Sequence, residues 1–574
     1  MCAINGFNWE DRKLGEKMNA VTSHRGPDGT GVFVDEGVTL GHNRLAIIDL
    51  SPAGAQPMTS SDKKLVIIYN GELYNFKDIK KEIGNYAWKS ESDTEVILAA
   101  YQKWGSDWVK KFNGIFAFAI WDKYKQELFF ARDQMGIKPL YYYHQNGKFI
   151  FSSEIKAILE HNIPRQLNHE AYSHYLTLLF TPAPFTLFEN VQKFPPAHYG
   201  ILKDGNLTVT RYWRLEVEPS RSPKVRPRGR EMKRELKKVV EAAVKWQLVS
   251  DRPLGLYLSG GIDSSVVLAS MRKVRNDIDT FSVGFELNEN EQSEKFNADF
   301  ALARETAKFF RTNHHEVFLP ANGLIERLEK AIWHLDEPLG NATIIPQLVL
   351  AEFTKPFATV ALTGDGGDEL LGGYPRYQKS RWLDFTPFYN TPAARFARFM
   401  FQKDSPVSQL SRVATREFFE KSFPKQAHNI TEQLMNLDLR TWLIDESLLR
   451  TDKMNMAFGV EARVPLLDRE VVEFAAGIPI KQKLARGGKG ILKDAFESEL
   501  PPYLLTQPKR GFFSPAAKWL RRPEFVKLCR ELFQNKPEFL KLLDEHITKK
   551  AYHAPILWAE LSFQIWAKRY RVSI

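Results

Sequence analysis

The chain has 574 residues, of which 43% are hydrophobic and 26% charged, with a formal net charge of +11 and two cysteines. This is the composition of an ordinary soluble globular protein long enough for two or more domains. Cys2 and Cys529 cannot build a disulfide framework, no basic-then-apolar leader opens the chain, and no apolar run approaches the roughly 18 to 20 residues of a membrane span. A cytoplasmic protein is therefore expected, with no membrane partner.

The basic excess is scattered rather than striped, which argues against a nucleic-acid partner. Its densest run, Arg221 to Arg230, is interrupted by Pro223 and Pro227 and reads as a solvated linker. It divides the chain into an expected first domain at 1–214, a linker at 215–230 and a second domain at 231–574. A basic channel for nucleotide and pyrophosphate accounts for part of the charge.

Cys2 directly follows Met1. Loss of Met1 would leave a thiol and a free α-amine on one residue, a nucleophile beside its own proton acceptor. Position alone favours a frayed terminus without chemistry, so the downstream partners decide. Short runs rich in β-branched and aromatic residues follow, at 31–34, 65–69, 116–121, 127–131 and 139–143. Gly, Asn and Asp punctuate them, and one helix is expected near 94–104. The reading is an α+β domain with sheet packed on sheet.

After the linker the period changes. Met232, Leu236, Val239, Val240, Ala243, Val244 and Leu248 share one helical face. Strands are expected at 254–258, 280–285, 315–319 and 357–362, alternating with helices at 264–275 and 300–311. The alternation predicts an α/β domain with a doubly wound parallel sheet, and the pattern beyond Tyr374 is mainly helical.

The first of these strands runs into Ser259-Gly260-Gly261-Ile262-Asp263-Ser264-Ser265. Glycines let the backbone bring N–H groups close to an anion, and a helix N-terminus adds partial positive charge. The loop lacks the Gly-Lys-Ser/Thr end of a Walker A motif. An aspartate inside a phosphate cradle implies an intervening cation, so Asp263 points to Mg²⁺. A second acidic glycine loop, Thr363-Gly364-Asp365-Gly366-Gly367-Asp368-Glu369, follows the 357–362 strand and is expected on the same rim. Asp368 could then share the metal.

The first loop matches the signature of pyrophosphatase-loop ATP enzymes, which cleave ATP between its α- and β-phosphates. With both halves taken together, the chain resembles the glutamine-hydrolysing asparagine synthetase family over nearly its whole length. In the first half the resemblance rests on Ser23-His24-Arg25-Gly26-Pro27-Asp28-Gly29, Gly41-His42-Asn43-Arg44-Leu45 and Tyr69-Asn70-Gly71-Glu72-Leu73. Ser92-Asp93-Thr94-Glu95, Phe130-Ala131-Arg132-Asp133 and Gly136-Ile137-Lys138-Pro139 add to it. It implies an N-terminal-nucleophile αββα sandwich, followed by the α/β synthetase domain with a helical C-terminal extension.

It also implies roles. Cys2 would attack the side-chain amide of glutamine, with its α-amine as proton shuttle. Asn70 and the Gly71 N–H would form the oxyanion hole. Arg44 would hold the glutamine α-carboxylate, and Asp93 with Glu72 the α-ammonium. ATP would meet Leu258, Val283, Thr363 and Gly364, with its phosphates against Ser259, Gly260, Gly261 and Ser264. Asp365 would serve the acyl-adenylate, and Lys489 in Gly487-Gly488-Lys489-Gly490 would face the α-phosphate. Arg450 to Met456 and Glu461 to Asp468 are assigned to architecture and channel lining. A homodimer is the assembly allowed for.

Three features depart from the family. Ala3 stands where glycine usually follows the cysteine, Asp365 is one carbon shorter than the glutamate of some members, and residues 334–343 vary near the acceptor site. The expected reaction is glutamine-dependent, ATP·Mg²⁺-dependent conversion of aspartate to asparagine, with ammonia carried between two sites. Amidation of another carboxylate, a sugar uronate or a peptide, is the alternative. A basic nucleic-acid-binding scaffold with an inactive fold is disfavoured by the intact motifs.

Overall fold

The computed structural model describes residues 2–215, 229–287, 296–380, 409–422, 429–507, 511 and 513–574. Most of the expected linker, residues 216–228, lies outside them.

The first half is two stacked antiparallel sheets. One has the order β10-β8-β9-β1-β3-β2, the other β12-β11-β7-β6-β5-β4. Its strands are β1 (Ala3–Phe7), β2 (Gly29–Asp35), β3 (Val38–Arg44), β4 (Met58–Thr59), β5 (Leu65–Leu73) and β6 (Gly114–Asp122). They continue with β7 (Glu127–Arg132), β8 (Tyr141–Gln145), β9 (Lys148–Ser152), β10 (Val191–Lys193), β11 (His198–Lys203) and β12 (Asn206–Arg211). Period-two alternation sorts the faces. On β5, Val66 and Ile68 join Ile4, Leu40, Phe130 and Phe151 in one core. Ile67 and Tyr69 point the other way, into a core with Val96, Ile97, Trp108 and Phe118.

Helices cover the outer faces, which completes the αββα sandwich. The expected helix is Asp93–Trp104. Arg12–Val21, Phe76–Ile83 and His169–Leu178 are also helical, where the sequence reading had only one. Arg12–Val21 was missed because it is polar overall, and its buried side is made by Gly15, Met18 and Asn19 rather than by an apolar stripe.

The second half carries a five-stranded, all-parallel sheet ordered β15-β14-β13-β16-β17. Here β13 is Leu254–Tyr257, β14 Asp279–Phe285, β15 Asn313–Leu319, β16 Val360–Leu362 and β17 Glu461–Arg463. The strand order reverses between β13 and β16, the switch point at which such sheets open a ligand crevice. The helix after β13 begins at Ile262, two residues before the expected start. The fifth strand, β17, was missed because it is three residues long, too short to show a period.

The helical C-terminal part returns to the first half. Tyr175 Oη donates to Ala559 O (2.7 Å) and Leu167 N–H to Ser573 O (3.0 Å). Between the halves lies a buried ionic cluster. Arg25 pairs with Glu154 (3.1 Å) and Asp452 (2.9 Å), and Lys453 with Asp336 (2.5 Å). Among the described residues, no helix is long and apolar enough to cross a membrane.

Candidate active sites

Cys2 is buried at the head of β1, a central strand of the first sheet. Its backbone N donates to Asn70 Oδ1 (3.0 Å). Asn70 lies near the end of β5 in the opposite sheet, and its Nδ2 reaches Ser153 Oγ at 3.5 Å. The sandwich thus brings residues 68 positions apart together across its two sheets. Burial pushes the Cys2 thiol up, opposed by the positive amino terminus and by its contact with Leu45 O. The neighbouring Ala3 is buried in regular strand paired with Asn43, so this backbone does not require glycine. At Gly71 it does: an added Cβ would collide with Ile115 O across the ladder.

Asp93 opens its helix and is buried. Its Oδ2 accepts from Leu73 N–H (2.9 Å) and Tyr69 Oη (3.0 Å). Burial raises its carboxyl to about 6 in spite of those bonds. Glu72 is also raised, by burial and by the nearby Glu461 and Asp93, while Arg463 Nη2 stands 3.7 Å from it. Arg44 is already anchored, donating through Nη1 to Ser51 O (2.9 Å) and through Nη2 to Asp49 O. Cys2, Asn70, Gly71, Glu72 and Asp93 therefore line one region, with Arg44, the last residue of β3, at its edge.

The second site sits at the switch point. Gly260 is left-handed (φ 68°), and a side chain there would strike the Asp299 carbonyl. This turn and Gly261 carry the chain into the helix N-terminus. Ser264 Oγ accepts from Ser259 N–H (3.2 Å), and Ser265 Oγ donates to Gly261 O (2.7 Å), which shapes the cradle from its own hydroxyls. Gly364 packs against Ser264 N and Asp263 Cβ, so the two glycine loops touch. Leu258, just past β13, and Val283, within β14, are buried, with Leu258 N–H bonded to Phe281 O (2.9 Å). A cleft of about 120 Å³ opens here, lined by Ser259, Gly261, Asp263, Gly488, Lys489 and Lys493.

Lys489 is 3% exposed and reaches into this cleft. Its Nζ contacts both Asp263 and Asp368 (2.5 Å to Asp368 Oδ1). Both carboxylates therefore reach a single cation from two loops. Two hard oxygen donors beside a phosphate cradle fit Mg²⁺, which binds few carboxylates and shares the rest of its shell with phosphate and water.

Asp365 lies deeper on the same loop. Its Oδ2 accepts from Thr363 Oγ1 (2.8 Å) and Thr451 Oγ1 (3.2 Å). Burial pushes its carboxyl up, and Arg450 opposes this. Arg450 is held by Glu446 (3.0 Å), which Asn341 also bonds (2.7 Å). From sequence, Thr451 and Arg450 are assigned only to architecture and channel lining, and Glu446 has no role. Of the variant segment 334–343, Asn341 reaches this cluster. Asp336 instead joins the ionic cluster between the halves, and His334 packs edge-on to His24.

Comparison with known proteins agrees with this two-site layout. Residues 1–213 match the family model of the glutamine amidotransferase domain, and residues 235–568 that of asparagine synthase. Asparagine synthetase [glutamine-hydrolyzing] 1 of Bacillus subtilis is 32% identical, over 97% of this chain and 94% of its own. Asparagine synthetase [glutamine-hydrolyzing] 3 of the same organism is 32% identical, over 92% and 88%. Amidase chry2 of Gibberella zeae is 26% identical, over 96% and 94%.

Proposed function

This chain belongs to the glutamine-hydrolysing asparagine synthetase family, and on that premise we propose that it makes asparagine from aspartate, ATP and glutamine. The observation that carries the reading is the pairing, on one chain, of a buried Cys2 facing Asn70 with an ATP-type cradle whose Asp263 and Asp368 meet Lys489.

In the first half, Met1 removal would expose the α-amine that Asn70 Oδ1 already holds as a backbone N–H. That amine would take the thiol proton, which offsets the burial that makes the thiol reluctant to ionise. Cys2 Sγ attacks the glutamine amide carbon. Asn70 Nδ2 and the Gly71 N–H receive the oxyanion. Ammonia leaves, and water then releases glutamate from the thioester. Arg44 holds the α-carboxylate, and Asp93 with Glu72 the α-ammonium.

Ammonia then crosses the junction between the halves. Lys138 Nζ, Tyr74 Oη and Arg25 Nη2 are buried there without a hydrogen-bond partner among the described residues. Such atoms suit a path that takes up small polar molecules. A sheltered path also keeps ammonia unprotonated.

In the second half, Leu258, Val283, Thr363 and Gly364 hold the nucleotide, and Ser259, Gly260, Gly261 and Ser264 hold the phosphates. Asp263 and Asp368 would hold Mg²⁺, which would offset phosphate charge. The acceptor carboxylate oxygen attacks the α-phosphorus and pyrophosphate leaves, with Lys489 offsetting the charge that develops. Ammonia attacks the acyl carbon, loses a proton and displaces AMP. Asp365, whose carboxyl burial pushes up, is placed to accept that proton. The halves at 1–214 and 231–574 would be separate catalytic domains, and the intact chemistry gives no role to nucleic acid. A homodimer is compatible with this reading.

The acceptor is tested by ATP-dependent pyrophosphate release with ammonia over a panel of carboxylates. Release with aspartate is expected. Release with a uronate or a peptide carboxyl, and none with aspartate, would replace aspartate as the acceptor.

A further inference from the structure

The loop beside the glutamine residues is held from the other half of the chain. Residues 45–51 leave β3 without helix or strand of their own. Within them Asp49 is left-handed (φ 55°), a conformation that a non-glycine residue keeps only when its surroundings fix it. The Asp49 side chain accepts from Ser51 N–H and Glu91 N–H within the first half, and the rest of the clasp comes from Asp251 and Arg252, just ahead of β13. Asp49 N–H donates to Asp251 Oδ2 (2.9 Å), and Asp251 N–H donates back to Ile47 O (2.9 Å). Arg252 Nε donates to Ala46 O (3.0 Å) and its Nη2 to Asp28 Oδ2 (3.2 Å), which also accepts from Ala46 N–H (2.9 Å).

The same loop shapes the first site. Asp49 O and Ser51 O accept from the Arg44 guanidinium, and Leu45 O faces Cys2 Sγ at 4.0 Å. Gly54 lets the loop close, since a side chain there would strike Arg44 Nη2. Each link from Arg252 and Asp251 to Arg44 is a hydrogen bond or a short stretch of backbone.

We propose that Asp251 and Arg252 are positioning residues for glutamine hydrolysis, supplied by the synthetase half. They hold the loop that aims Arg44 and abuts Cys2. This rests on the assignment of Arg44 and Cys2 to the glutamine site. Both residues sit at the foot of β13, whose other end runs into the phosphate loop, so one strand carries the clasp and the ATP cradle. The glutamine pocket is therefore complete only when the two halves are docked.

The test uses the full chain and two assays, glutamate release from glutamine and ammonia-dependent pyrophosphate release. Arg252→Ala should raise KM for glutamine about tenfold, the scale of one lost charge-assisted hydrogen bond. Its kcat should change little and its ammonia-dependent activity should stay at wild type, which also reports that the chain is folded. Arg252→Lys should recover part of the affinity. Wild-type KM in Arg252→Ala, or equal loss of both activities in Arg252→Ala and Arg252→Lys, would overturn the proposal. Arg44→Lys separates the two readings. A raised KM there with none in Arg252→Ala sinks the clasp alone. The reverse pattern sinks the Arg44 assignment and leaves the clasp acting through Leu45.

Discussion

Lys489 and Asp263 meet although 226 positions separate them, and the same Nζ lies 2.5 Å from Asp368. The lysine is the cation on which both carboxylates converge. Lys489→Ala should abolish both glutamine- and ammonia-dependent synthesis, since it removes charge offset at the α-phosphate, worth about a hundredfold or more. Glutamate release from glutamine should persist. Loss of glutaminase activity to the same extent would place Lys489 in a purely structural role.

Asp365 accepts hydrogen bonds from Thr363 and Thr451, with Arg450 nearby. Asp365→Asn keeps the shape and removes the base, so synthesis from either nitrogen source should fall about a hundredfold or more. Asp365→Glu should retain more activity than Asp365→Asn. Equal activity in Asp365→Asn and wild type would remove Asp365 from the chemistry.

Burial raises the Asp93 carboxyl to about 6. Above that pH it is anionic and, in its proposed role, would attract the α-ammonium of glutamine; below it the group is neutral and that attraction would be lost. The kcat/KM for glutamine, which reports the free enzyme, should therefore decline as pH falls through about 6. The ammonia-dependent reaction, compared at equal free ammonia, should lack this inflection. Asp93→Asn should give a low, flat profile in that range, and an unchanged inflection in the variant would assign it to another group.

Two glycines predict separable defects. Gly71→Ala would drive a Cβ into Ile115 O, and Gly364→Ala into Ser264 N and the Asp263 side chain. The first should abolish glutamine hydrolysis and spare ammonia-dependent synthesis, and the second should abolish synthesis from either nitrogen source and spare glutamine hydrolysis. Overpacking of this kind costs about 1–3 kcal/mol, which thermal melts should register as a modest loss. Loss of both activities in either variant, with melting unchanged, would contradict two independent sites.

The ionic cluster between the halves predicts a larger loss. Lys453→Met leaves Asp336 without its closest cation, and both are wholly buried. Breaking one partner of a buried pair costs about 3–5 kcal/mol. The melting temperature should drop clearly, whereas a melt equal to wild type would mean that Lys156, 2.7 Å from Asp336, suffices.

Much of this was legible in the sequence because it is local. Alternation on β5 and β6 and the strand–loop–helix at Ser259 to Ser265 each carry their signal within a dozen residues. The two glycine loops could be placed on one rim because parallel strands put their following loops at one sheet end. What was not legible depends on distant partners. Strand β17 is too short for a period, and Thr451 and Arg450 show their role only once the second half closes on Asp365. Asp251 and Arg252 look like loop residues in the sequence. Their weight comes from Ala46, Ile47 and Asp49, about 200 positions away.

In the proposed reaction Cys2 supplies ammonia to a separate ATP site. Cys2→Ala, assayed with glutamine and with ammonia, tests it most directly. Glutamine-dependent synthesis should vanish while ammonia-dependent asparagine formation stays near wild type. Equal loss of both activities, in a protein that melts like wild type, would contradict it.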